Sequence, residues 1–150
     1  MKAPVPLRRV GYRIAHRLMR LWWFAVRPQL EGVKCVLTDD AQVLLVLHTY
    51  GRREWDVPGG TMRRGEPPLE AARREMEEEL GVRLDTLRLV GELRARPYRA
   101  RDTIHLFHAE LSSPELTIDR GELAQAEWFG RDELPAKRSR YLSQILGLVG

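Results

Sequence analysis

The chain has 150 residues, 43% of them hydrophobic, enough for one domain with an ordinary core and too little for a second. Its single cysteine, Cys35, excludes an intrachain disulfide, and its longest apolar run, Leu21 to Val26, is too short to cross a bilayer. The net charge of +4 is uneven: residues 1–34 hold eight cations against Glu31 alone, a net of +7, and the remainder nets −3.

That basicity belongs to an arm, residues 1–31. Leu7, Val10, Ile14, Leu18, Leu21 or Trp22, and Ala25 recur at helical spacing, with Arg8, Arg9, Arg13, Arg17, Arg20 and Arg27 over the remaining surface, and Pro28 ends the pattern. An amphipathic basic helix follows. The first expectation is that its apolar stripe docks on the domain or on a second copy in a homodimer. A sharper one is a peripheral membrane contact, with Trp22, Trp23 and Phe24 at the headgroup boundary and arginines facing anionic lipid. Nucleic acid is not the expected partner. No small-residue cleavage site follows the apolar run, so no secretory signal is expected, and the scarcity of serine speaks against a transit peptide. The expected setting is the cytoplasm, with membrane contact at most peripheral.

The second unit expected is residues 32–150. Val33 to Thr38 and Gln42 to Tyr50 read as strands joined through Asp39-Asp40, and the unbroken Val43 to Leu47 predicts burial on both faces of a sheet. Cys35, inside an apolar run, reads as a small buried hydrophobe. Gly51, Arg52 and Arg53 form a basic loop, and Glu54 to Val57 a short strand leading into Pro58-Gly59-Gly60.

Next comes a well-marked helix. Pro67 and Pro68 suit a first turn, where a missing N–H has no partner to lose, and Gly81 is a left-handed terminator. Leu69, Ala71, Ala72, Met76 and Leu80 form the apolar stripe. Glu75, Glu77, Glu78 and Glu79 crowd the last turns, where the helix dipole disfavours carboxylates by up to ~1 kcal/mol each. Glu75, Glu78 and Glu79 stand at i, i+3 and i+4 and so share one face, with Cβ atoms about 5–6 Å apart. Such a face repels itself unless a hard divalent cation neutralises it. Glu77 points away into solvent.

After this helix, Thr86 to Arg96, Thr103 to Leu111 and Ala126 to Phe129 read as strands, and Ser139 to Leu148 as a last helix with Tyr141, Leu142, Ile145 and Leu148 on one stripe. His105 and His108 are an odd number apart on a strand and face opposite sides, so they cannot share a metal. His48, ending a buried strand, reads first as a structural histidine, and His16 belongs to the arm.

The segment from Gly60 to Val82 resembles the Nudix box, Gly-x5-Glu-x7-Arg-Glu-U-x-Glu-Glu-x-Gly-U with U a bulky aliphatic. Gly60, Glu66, Arg74, Glu75, Met76, Glu78, Glu79, Gly81 and Val82 occupy the defined positions without a departure, and Gly59 completes a double glycine similar to the family's. The resemblance implies a Nudix-type α/β/α sandwich around a mixed β-sheet, here with an added N-terminal amphipathic helix. It also implies hydrolysis of a phosphoanhydride with Mg²⁺ or Mn²⁺ as cofactor. By resemblance Glu79 and Glu75 are the first candidates for metal ligands, then Glu78 and the carbonyl of Gly59. Glu75 is also a candidate base, and Arg74, paired with Glu66, would orient a box carboxylate. Gly60, Glu66 and Gly81 would be structural. A base outside the box is suggested at Glu122, in a place where many members carry an acid, with Glu127 less favoured.

For the substrate, a small nucleotide, the candidate contacts are Arg52, Arg53 and Arg96, which suit phosphates, and Tyr98. A proline near position 97 resembles the ADP-ribose subgroup and a tyrosine near 98 the dinucleoside-polyphosphate subgroup; Pro97 and Tyr98 carry both. The favoured substrate is therefore a nucleoside diphosphate linked to another moiety. The alternatives are a nucleoside triphosphate or RNA 5′ pyrophosphohydrolase, a non-catalytic nucleotide-sensing module, and an enzyme of a lipid-linked diphosphate.

Overall fold

The computed structural model describes residues 5–26, 29–95, 101–112 and 114–150. Helix α1 (Val5–Val26) is followed by β1 (Gln29–Asp39), β2 (Gln42–His48), β3 (Gly59–Thr61), α2 (Pro68–Leu80), β4 (Arg88–Ala95), β5 (Arg101–Glu110), β6 (Leu123–Gly130) and α3 (Leu142–Gly147). The six strands make one mixed sheet in the order β4-β5-β1-β2-β6, with β3 also on β1.

Strand β1 is the axis of this sheet. Along one edge it runs parallel to β5, from Gln29 opposite Arg101 to Thr38 opposite Glu110. The other edge is shared: Thr38 and Asp39 open the antiparallel hairpin to β2, while Gly32, Val33 and Lys34 pair with Thr61, Gly60 and Gly59. Strand β3 has no counterpart in the sequence reading, which assigns no element to Gly59 and Gly60. It forms because nothing larger fits there: a Cβ on Gly59 would lie 2.0 Å from the carbonyl oxygen of Val33.

Side chains alternate across β1 and β2 into two cores. Val33, Cys35, Leu37, Leu44 and Val46 pack with Ala71, Ala72, Met76 and Leu80 of α2, and Val36, Val43 and Leu45 pack on the opposite face with Leu142, Ile145 and Leu146 of α3. The continuous apolar run of β2 is thus buried on both faces, as helix-covered sheets require. Side chains such as Met76 and Leu80, with no exposure, each contribute ~1.5–3 kcal/mol of burial. The expected strand over Glu54 to Val57 is reduced to isolated bridges, Val46 to Asp56 and Trp55 to Arg138. Here Trp55 spends its backbone groups on Lys137 and Ser139 rather than on a ladder.

Helix α2 has the ends its sequence announces. Pro67 stands before it in extended geometry (φ −63, ψ 143) and Pro68 enters it. At the far end Gly81 is left-handed (φ +67), its N–H donating to the Glu77 carbonyl and that of Val82 to the Met76 carbonyl.

One expectation about the arm is overturned. Among the described side chains of the stripe, Val10, Ile14 and Leu18 do not dock on this chain's own domain: they are 49%, 54% and 62% exposed. The helix instead turns the opposite side inward, where the Tyr12 ring stacks on Tyr50 at 6.0 Å, His16 lies 5.4 Å from the same ring, and Arg9 Nε donates to the Arg120 carbonyl at 3.2 Å. Aromatic contact with Tyr50 and the hydrogen bond to the Arg120 carbonyl hold this side against the domain.

Candidate active site

The last turns of α2 lie over β1 and β3, and their glutamates divide by depth. Glu79 is wholly buried and Glu75 nearly so, whereas Glu78 is half exposed and Glu77 reaches outward to Arg83 at 3.3 Å. Arg74 holds the outer part together. Its Nε and Nη2 donate to the two oxygens of Glu66 at 2.8 and 2.9 Å, and its Nη1 to Glu75 at 2.8 Å and Glu78 at 3.3 Å. Glu66 also accepts the backbone N–H of Arg63, at 2.9 Å. The Arg74 bonds hold the Glu66 carboxyl low, at about 2, as expected for a bidentate charge-assisted pair.

The deeper part is assembled from far along the chain. His48 Nε2 stands 3.4 Å from Glu79 Oε1, and His48, Glu79 and Glu122 bring one ligand atom each to within 4.8 Å of one another. The segment carrying Glu122 is tied to the C-terminal end of α2, where Thr117 N–H donates to the Leu80 carbonyl and Asp119 N–H to the Glu79 carbonyl, both at 2.9 Å. Those bonds satisfy carbonyls that any helix end leaves open. Thr49 anchors the loop from β2, its N–H donating to the Glu122 carbonyl at 2.9 Å and its hydroxyl to that of Gly121 at 3.0 Å. The Tyr50 hydroxyl then reaches Glu122 Oε1 at 3.3 Å.

Burial and crowding set the electrostatics. Burial and the Glu75 charge lift the Glu79 carboxyl well above its ordinary range, against the Gly59 N–H and Lys34. Burial raises Glu75 too, against its Arg74 bond, and burial with the Glu79 charge pushes Glu122 up to about 7. His48 is lowered by burial and by Lys34. Cys35, beneath this cluster, is raised by burial and by Glu79 and Glu75, which leaves it an inert thiol.

Gly59 and Gly60 form part of the wall of a 320 Å³ cavity, with Lys34, His48, Arg52 and Arg53 also on its lining. Lys34 pairs there with Asp56. Arg53 takes a left-handed backbone conformation (φ +53) behind Gly51 (φ +71), in a loop whose residues Gly51, Arg52 and Arg53 line the cavity. Of the other sequence candidates, Arg96, Pro97 and Tyr98 lie outside the described residues, and Glu127 is exposed on β6 opposite Leu45. His105 lies between Glu31 and Glu92 at 3.1 and 3.4 Å, and His108 hydrogen-bonds Thr38 at 2.9 Å, so the two serve separate places.

His48, which the sequence reads first as structural and otherwise as edging the pocket, lies against Glu79 and on the cavity lining, an arrangement compatible with both readings. Lys34, Tyr50 and Asp56 were missed altogether. A lone lysine inside the apolar strand Val33 to Thr38 was the available signal for Lys34; nothing local marks the others.

The donor set suits a divalent cation. Among the described residues, Glu79 Oε2 is a buried oxygen with no hydrogen-bond partner, a costly state that a metal ion relieves. Carboxylates with one imidazole nearby fit Mg²⁺ through oxygen and Mn²⁺ through either.

A family model described as the NUDIX domain matches residues 28–145. The chain is 31% identical over 87 residues to the ADP-ribose pyrophosphatase of Mycobacterium tuberculosis, covering 55% of this chain and 42% of that protein. It is 32% identical over 112 residues to the NAD-capped RNA hydrolase NudC of Klebsiella pneumoniae, covering 72% and 42%. It thus spans less than half the length of either relative. The solved MutT NUDIX hydrolase of Burkholderia pseudomallei superposes with a TM-score of 0.75 at 23% identity, over 82% of this chain and 99% of that one, a likeness of fold.

Proposed function

This chain belongs to the Nudix family, and we propose from that premise that it is a metal-dependent hydrolase of a phosphoanhydride bond. The substrate class we propose is a nucleoside diphosphate joined to another moiety, of the ADP-ribose or dinucleoside polyphosphate type. The observation that carries this reading is the meeting of buried Glu79 with Glu122 and His48, with Glu75 on the same helix face against Gly60, beside a cavity lined by Lys34, Arg52 and Arg53.

In this reading Glu79, Glu75 and Glu78, with the Gly59 carbonyl, hold Mg²⁺ or Mn²⁺. When bound, the ion polarises the phosphate oxygens and lowers the pKa of water. Arg74, itself clamped by Glu66, keeps the Glu75 carboxylate in one orientation. Glu122 is the proposed general base, receiving the water proton on a carboxylate steadied by the Tyr50 hydroxyl; Glu75 is the competing candidate. Arg52 and Arg53 bind phosphate oxygens at the cavity mouth, and Arg96 and Tyr98 are retained as substrate contacts on the resemblance alone. Gly60 and Gly81 serve the backbone, one by close approach and one by its left-handed turn.

A second reading, hydrolysis at an RNA 5′ end, is favoured by the +7 charge of residues 1–34. A sensor that binds nucleotide without turnover is opposed by the complete set of box carboxylates. The test is product release from ADP-ribose, dinucleoside polyphosphates, nucleoside triphosphates and 5′-capped RNA, with Mg²⁺ or Mn²⁺, for wild type and Glu79→Gln. Metal-dependent turnover that Glu79→Gln lowers by orders of magnitude supports the hydrolase and selects the substrate; tight nucleotide binding without turnover would replace it with the sensor.

A further inference from the structure

We propose that α1 is a docking surface for an anionic lipid bilayer, lying in the membrane interface with its apolar stripe inward. Helix α1 presents two unlike sides. One side, through Arg9, Tyr12 and His16, is spent on the Arg120 carbonyl and the Tyr50 ring. The other exposes Val10, Ile14 and Leu18, one helical turn apart, bordered by exposed Arg13 and Arg17. A helix face turned to water is ordinarily polar, so this one calls for a cover.

Charge selects the cover. The 22 residues of α1 contain no acid, so the face joins an apolar stripe to uncompensated cations, the combination that seats a helix among headgroups of negative lipid. A second copy of the same face would set Arg13 and Arg17 against their equivalents with no carboxylate on either helix to answer them. Among the described residues no helix is long and apolar enough to cross a membrane, so α1 lies on the bilayer rather than through it. The inward side of α1 rests on Tyr50, which lines the cavity, so the docking helix is joined to the cavity wall through the Tyr12 and His16 contacts. The proposal stands independently of the hydrolase reading, since it needs only the helix and its contacts.

The experiment is co-sedimentation of the full chain with mixed phosphatidylcholine–phosphatidylserine vesicles and with pure phosphatidylcholine vesicles, alongside sedimentation velocity without lipid. The mixed vesicles are expected to pellet the protein and the neutral ones to leave it in solution. Replacing Arg13 or Arg17 by Gln weakens binding about fivefold each, the fold-change equivalent to ~1 kcal/mol per cation. The pair Ile14→Ser and Leu18→Ser weakens it tenfold or more, whereas Leu89→Ser, an exposed leucine on β4 (55%), leaves it unchanged. These positions face solvent, and circular dichroism checks that the helix remains. Failure to bind the mixed vesicles overturns the proposal. So does binding that ignores Ile14→Ser and Leu18→Ser, or a dimer in solution that those two changes dissolve.

Discussion

Gly60 and Glu75 are fitted to each other so closely that a Cβ on the glycine would lie 2.4 Å from the Glu75 Cδ and 2.5 Å from both its oxygens. The double glycine therefore leaves the floor on which the Glu75 carboxylate sits. Gly60→Ala is expected to displace that carboxylate, costing ~1–3 kcal/mol of stability by overpacking and lowering Mn²⁺ affinity. Thermal unfolding and metal titration by calorimetry check both; unchanged metal affinity would show that Glu75 is not a ligand.

Glu79 gives the opposite sign. In metal-free protein it is a buried carboxylate with one oxygen unpartnered, so Glu79→Gln is expected to raise Tm, by about 2–4 °C for each kcal/mol relieved. Its folded pKa lies above the ordinary value of 4.5, so the folded state prefers the proton. The contribution of Glu79 to stability is therefore greatest below pH ~4.5 and declines as pH rises through the folded pKa. The variant should lose that decline and also the Tm increase that Mn²⁺ produces in wild type. Differential scanning calorimetry from acid to neutral pH, with and without Mn²⁺, measures all three.

Glu66 and Arg74 predict an acid-sensitive window. The folded carboxyl is held at about 2 against an ordinary 4.5. Its stabilising contribution is thus complete above pH 4.5 and lost as pH falls from there through about 2. Urea midpoints measured across that range should fall more steeply for wild type than for Glu66→Gln. Arg74→Lys should mimic the variant, because an ammonium cannot supply the two parallel N–H bonds.

Tyr50 joins the arm to the site. Tyr50→Phe removes the hydroxyl from Glu122 and is expected to lower kcat about two- to tenfold, the equivalent of one hydrogen bond, with KM little altered. Tyr12→Ala, which takes the stacked ring from Tyr50 while leaving its hydroxyl, should have a smaller effect in the same direction. Steady-state kinetics on the substrate found by the panel separates the two; an unaltered kcat in Tyr50→Phe would remove Glu122 from the role of base or Tyr50 from its support.

Much of this architecture could be read directly from residues. Pro67, Pro68 and Gly81 act on the backbone within a turn of themselves, so both ends of α2 were legible. The spacing of Glu75, Glu78 and Glu79 followed from helix geometry, and the double-sided burial of β2 from its unbroken apolar run. The strand at Gly59 was not legible: two glycines look alike whether they turn or let strands approach, and only their pairing with β1 makes them β3.

What the sequence alone determined is therefore local: the box helix with its caps, the acidic face it carries, the central strands, and the basic amphipathic character of the arm. The company of each side chain was decided by the tertiary structure. His48 reaches Glu79 of α2 across 31 residues, and Tyr50 reaches Glu122 across 72, the latter beside a β2–β6 pairing whose register shifts between Leu47 and His48. Likewise the periodicity of α1 marked two faces without saying which one turns inward, and Tyr50 selected the face with Tyr12 and His16. Backbone propensity acts over a few residues, whereas burial, pairing and the pKa shifts that follow depend on groups brought together only when distant strands close into one sheet.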